Sequence, residues 1–186
     1  MSDSPKLLSV LHKIRTNAYL GKRSHFNAAN RQHKYNAITG VPVMVLNIVL
    51  GSVFFVMLSQ DLPSTAKWIG ALIAVLAAIL SGVQTFFNYQ KRFEGHRKIG
   101  NKYLQVESRC EQLNANYVDG VIHLEELSKE LVQITAEYQN ISTECEHLQV
   151  SDADYRKALK SKRAKEVNIN NNLKPEKIVS LQSKVA

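Results

Sequence analysis

Ala37 to Leu58 reads AITGVPVMVLNIVLGSVFFVML, and no charged side chain occurs anywhere between Asn36 and Gln60. A helix of this length, at 1.5 Å per residue, reaches about 33 Å and crosses a hydrocarbon core of roughly 30 Å. A second charge-free run extends from Trp68 to Gln90, and its apolar part, WIGALIAVLAAILSGVQTFF, ends at Phe87. Two buried helices of a soluble bundle would need other structure wrapped around them. A chain of 186 residues has too little left over to cover two helices that are apolar all round. The first run follows 36 largely polar residues, which is not the arrangement of a cleaved signal peptide. The expectation is a membrane protein with spans at 37–58 and 68–90.

Residues 59–67, SQDLPSTAK, are too few for a domain, so the spans are expected to be antiparallel neighbours joined by an external loop. Lys22, Arg23, Arg31 and Lys34 precede the first span, and Lys91, Arg92, Arg97, Lys98 and Lys102 follow the second. The loop carries only Lys67. Basic residues stay on the cytoplasmic side, so both termini are predicted to be cytoplasmic in a multi-pass membrane protein. This asymmetry, with attraction to anionic headgroups, accounts for much of the net charge of +8. The lipid bilayer is the expected partner, and no nucleic acid is needed. Trp68 at one boundary and Tyr35 and Tyr89 at the other occupy interfacial aromatic positions.

The flanking segments are predicted to be helical too, giving an all-α fold. Residues 1–36 open on Ser4 and Pro5 and place Leu7, Leu11, Ile14 and Ala18 on one stripe, an amphipathic helix that either lies on the membrane surface or packs against the cytoplasmic helices. Residues 91–150 carry a heptad through Ile99, Tyr103, Val106, Cys110, Leu113 and Tyr117, continuing the second span as one rod. Turn residues follow in NANYVDG (114–120). A second heptad then runs through Leu124, Leu127, Leu131, Ile134, Tyr138, Ile141, Cys145 and Leu148. The two seams are expected to close as an antiparallel, coiled-coil-like hairpin. In residues 151–186, Ser151 followed by Asp154 marks a helix start. A basic stretch, Arg156 to Lys165, leads into a polar tail from 167 onward that is expected to be disordered.

No phosphate-cradling Gly-rich loop, HExxH, CxxC or nucleophile elbow is present, so neither an enzyme nor a cofactor site is expected. Cys110 and Cys145 fall on heptad seams and read as reduced core residues. His25, His33 and His96 fall near the inner membrane face, but no further ligands are spaced to complete a metal site. Within the spans, Gly70, Ala74, Ala78 and Gly82 recur every four residues on the second helix, and Gly51 lies on the first. Small residues of this kind allow close helix approach within the chain or between subunits. Asn47 lies halfway through the first span, with Ser52 beyond it, and Gln84 lies near the inner end of the second. Each amide either bonds to a neighbouring helix or faces water in an oligomeric pore.

The stretches VLNIVLGS (45–52) and LAAILSGVQTFFNYQKRFEGHRKIGNKYLQVE (76–107) resemble the SLATT family, the SMODS and SLOG-associating two-transmembrane effectors of bacteria, over residues 8–150. The resemblance rests on the Gly51–Ser52 pair, the Gln84-Thr85-Phe86 segment and His96 to Tyr103. It implies a pore-forming effector in conflict with phage, a homo-oligomer that permeabilises the inner membrane. A nucleotide second messenger or its synthase is the implied activator. No catalytic residues come with the family. The alternatives are a membrane-anchored coiled-coil adaptor without pore activity, and a membrane subunit of an enzyme with a separate catalytic chain.

Overall fold

The computed structural model describes residues 4–59 and 63–172, and every regular element among them is helical. The helices are α1 (Ser4–Ser59), α2 (Ser64–Phe87), α3 (Tyr89–Val118), α4 (Leu124–Glu144) and α5 (Asp152–Asn172). They belong to two compact units, one from the described parts of Met1–Ala28 and His96–Ala186, the other from Ala29–Gly95.

The first unit is a helical core assembled from segments distant in sequence. Leu11, Ile14 and Ala18 of α1 are buried with Ile99, Tyr103, Val106, Cys110 and Leu113 of α3 and with Leu127, Leu131, Ile134 and Ile141 of α4. The amphipathic stripe of α1 is thus packed against the other helices. Two glycines let α1 and α3 approach closely. A Cβ on Gly21 would stand 3.0 Å from the Tyr103 ring, and one on Gly100 would stand 2.6 Å from Phe26 Cε1. Ion pairs flank the α3–α4 seam, joining Lys98 and Lys102 to Glu144 and Arg109 to Glu130 and Glu137.

The turn after α3 comes later than the sequence suggests, because Asn114 to Val118 remain helical. Gly120, at φ +71°, ends the helix: its N–H donates to Tyr117 O, and the Val121 N–H donates to Asn116 O. That bond pair is a Schellman cap, which a residue without Cβ adopts without strain. α5 starts as expected, the Asp154 N–H donating to Ser151 Oγ at 3.3 Å and Ser151 Oγ donating to Asp154 Oδ2 at 2.7 Å. The helix then runs on to Asn172, so residues 167–172 are ordered backbone where a disordered tail is expected; the remainder, 173–186, lies outside the described residues. Helix formers through Glu166 extend α5 into the polar stretch.

The second unit contains the two apolar runs. No break separates residues 4–36 from the first apolar run, since α1 continues from Ser4 through Pro42 to Ser59. A proline at this point removes one N–H, and the turn before it is held by Thr39 Oγ1 donating to Tyr35 O at 2.8 Å. The loop drawn at 59–67 is shorter, α2 having begun at Ser64; Gln60 to Leu62 lie outside the described residues. α2 and α3 do not form one uninterrupted rod. Asn88 takes a left-handed conformation (φ 46°, ψ 48°) between them, with its N–H bonded to Gln84 O. Asparagine is among the few residues that adopt this conformation readily.

Candidate pore-lining positions and a buried histidine pair

In the apolar unit, contacts pair positions progressively earlier in α1 with positions progressively later in chain order, as antiparallel neighbours do. A Cβ on Gly70 would lie 3.8 Å from Val53, a Cβ on Gly40 would lie 3.1 Å from Gln84 Nε2, and the Tyr35 and Tyr89 rings are 5.7 Å apart. Val43 and Ala77 are the buried residues of the two seams.

Gln84 is drawn into a polar ladder at one end of this pairing. Its Nε2 donates to Asn36 Oδ1 at 3.5 Å, Asn36 Nδ2 donates to Gln90 Oε1 at 3.4 Å, and Gln90 Nε2 donates to Glu94 Oε1 at 2.7 Å. Of the two roles open to Gln84 in the sequence, the structure gives it a helix-bridging bond. Asn36 and Gly40, which complete this arrangement, were not legible as functional positions. Their signal is the spacing Asn36, Gly40, Val43, one stripe of α1.

Asn47 is placed differently. It is exposed, and its amide has no hydrogen-bond partner among the described residues. Gly51 is also exposed, with nothing within 4 Å of an added Cβ. Ser52 Oγ donates back to Ile48 O at 2.9 Å, which satisfies the hydroxyl on its own helix. Ser52 also lines an apolar cleft of about 360 Å³ with Val49, Val53, Ile69, Gly70 and Ile73. On α2, Gly70 is half-buried at the seam, whereas Ala74, Ala78 and Gly82 are exposed, and an added Cβ on Gly82 meets nothing within 4 Å. The two apolar runs therefore present Asn47, Gly51, Ala74, Ala78 and Gly82 outward from the single chain.

In the helical unit, His25 and His96 are buried together with their Nδ1 atoms 3.1 Å apart. One Nδ1 donates and the other accepts, so the contact requires a neutral ring on at least one side. Burial, and then the neighbouring His96, lower the His25 pKa to about 4. The Tyr103 ring lies 5.9 Å from His25, and burial pushes its phenol up to about 12. His33 is not part of this pair; it is exposed and stands against Phe93 in the apolar unit. No group of three metal-ligating side chains occurs among the described residues. Cys110 is fully buried with its thiol pushed up to about 11 by burial, and both cysteines are free.

These features define an all-helical protein with two helices long and apolar enough to cross a membrane, whose apolar windows are only 6% buried within the chain. Residues 24–123, which contain the histidine pair and both apolar runs, match the family model described as "Protein of unknown function (DUF4231)". The chain belongs to the DUF4231 family. No curated protein and no solved structure matches it.

Proposed function

We propose that this protein is a two-span membrane hairpin of the bacterial inner membrane, with both termini cytoplasmic, that assembles with copies of itself into a regulated pore. In this reading it is a SLATT-like effector that permeabilises the membrane when a nucleotide messenger or its synthase activates it. It has no catalytic role. The observation that carries the proposal is Asn47, an amide halfway along a span, exposed on the single chain and without a hydrogen bond among the described residues. In hydrocarbon an unsatisfied amide costs several kcal/mol (about 2–7 by transfer data), so a second subunit or a water-filled path must meet it. The outward small residues Ala74, Ala78 and Gly82 give a neighbouring subunit a surface for close backbone approach.

Ion flux is the direct test. Protein reconstituted into liposomes is expected to release an entrapped ion, in the presence of its activator or on clustering, with flux rising more steeply than linearly in protein density. Assembled oligomers that never conduct would leave the adaptor reading, in which the spans only anchor the helical unit.

A further inference from the structure

Three basic side chains converge on a single buried ring in the helical unit. Around Tyr19, which is 7% exposed, Lys22 Nζ lies 5.0 Å, Arg23 Cζ 5.7 Å and Lys165 Nζ 5.3 Å from the ring centroid. Lys22 is also paired with the buried carboxylate of Glu107. Arg23 and Lys165 have no carboxylate partner among the described residues. Beside the ring is a cleft of about 170 Å³ whose walls include Arg15, Thr16, Lys162 and Lys165. Among the described residues, Arg15 and Lys162 pair with the solvent-facing carboxylates Glu111 and Glu166, at 2.6 and 3.5 Å. Exposed pairs of this kind are weak and exchange readily with another anion.

Arg15, Lys162 and Lys165 line the cleft together with the carboxylates Glu107 and Glu166, while Lys22 and Arg23 reach the Tyr19 ring in its wall and Glu111 pairs with Arg15; the five basic groups and three carboxylates of this neighbourhood leave an excess of two positive charges. Like charges gathered on one ring repel, and a bound anion relieves that repulsion. We propose that the cleft formed by α1, α3 and α5 around Tyr19 binds a dianionic phosphoryl group, the terminal phosphate of a phosphomonoester. The charge excess matches a dianion. The volume holds a phosphoryl group and some of its water, at roughly 30 Å³ per water. Arginine and lysine together supply the forked and point-charge donors that phosphate oxygens accept. Tyr19 is covered by its cations, so it offers no open face for stacking a base, and recognition falls on the phosphate. The site stands apart from the pore reading, since it requires no conduction.

The test uses the full chain in phosphatidylcholine nanodiscs, titrated with inorganic phosphate against chloride at equal ionic strength. Saturable phosphate binding is expected in the wild type. The double variant Arg23→Gln, Lys165→Gln removes only the two cations without carboxylate partners, so it leaves no buried charge stranded. It should keep its thermal midpoint and weaken phosphate binding roughly tenfold or more. Competition by ATP identifies a soluble phosphate ester as the source. Loss of phosphate binding in discs containing phosphatidic acid, seen only for the wild type, identifies a lipid headgroup. Wild-type protein that binds phosphate no better than chloride overturns the proposal, as does a folded double variant whose affinity is unchanged.

Discussion

The Nδ1 atoms of His25 and His96 share one hydrogen-bond position at 3.1 Å, out of reach of solvent. A proton on His25 places a charge in a buried site, and that loss of hydration first, then the neighbouring His96, lowers the His25 pKa. Because the folded state binds that proton less well than the unfolded state, the contribution to stability is present above 6.5 and is lost as pH falls from there to about 4. Its ceiling is on the order of 3 kcal/mol. Denaturant melts of wild type and His25→Leu across this window check it. The wild type should lose stability on acidification more steeply than the variant, and parallel curves would show that His25 takes up its proton as readily in the folded state as in the unfolded one.

Gly100 faces Phe26 so closely that a methyl group cannot be added without moving the ring. Gly100→Ala is therefore expected to destabilise the protein by about 1–3 kcal/mol, although Ala is otherwise the better helix former by about 1 kcal/mol. In a Phe26→Leu background the sign should reverse or vanish. A double-mutant cycle of melting free energies measures the coupling, and additivity would mean that the two helices do not meet at this point.

Leu131 is 5% exposed and lies in the core shared by α1, α3 and α4. Leu131→Asp exchanges packing for a carboxylate in the apolar core, at a cost of at least about 3 kcal/mol. Loss of helical ellipticity is expected, together with loss of any oligomer that the wild type forms on size-exclusion chromatography. Wild-type oligomer size in this variant would show that the heptad is not a packing seam.

Asn47→Leu separates a pore from a plain helix contact. Leucine costs less than asparagine in lipid, so the variant should insert and assemble, yet it should dewet the conducting path and reduce single-channel current. An asparagine that only bridges subunits contributes on the order of 0.6 kcal/mol, and its loss would weaken the oligomer while leaving current per assembly intact. Current and oligomer size measured on one preparation distinguish the outcomes.

The basic flanks predict orientation. A reporter fused after Ala186 should remain cytoplasmic, and one inserted near Ser64 should be exported. Added Lys or Arg near Ser64 should erode that preference, because positive charge at a span end opposes translocation. An exported C-terminus is incompatible with the proposed topology.

The buried faces of α3 and α4 were legible because a repeat of alternating three and four residues keeps a stripe on one side of a helix. Ile99, Tyr103, Val106, Cys110 and Leu113 are all buried, as their spacing implies. The same geometry explains what the four-residue repeat in α2 conceals. Each step of four turns about 40° beyond a full revolution, so Gly70 lies on the seam while Ala74, Ala78 and Gly82 rotate away from it. The seam within the chain instead follows Gly70, Ile73 and Ala77. Pairings across long separations were hidden for another reason. Periodicity assigns a face but not its partner, so neither the His25–His96 contact nor the Gln84–Asn36 bond could be read from spacing. The phosphoryl cleft was obscured likewise, since Tyr19 and Lys165 are far apart in sequence and each reads as an ordinary surface residue of its helix.

The core that joins Leu11, Ile14 and Ala18 to residues from Ile99 onward also sets an order of events during synthesis. The apolar stripe of α1 leaves the ribosome first, and its partners follow only after both membrane-length runs have been made. At translation rates of about 5–20 residues per second, that interval is on the order of ten seconds. Throughout it, Leu11, Ile14 and Ala18 lack the α3 and α4 side chains that bury them in the finished fold.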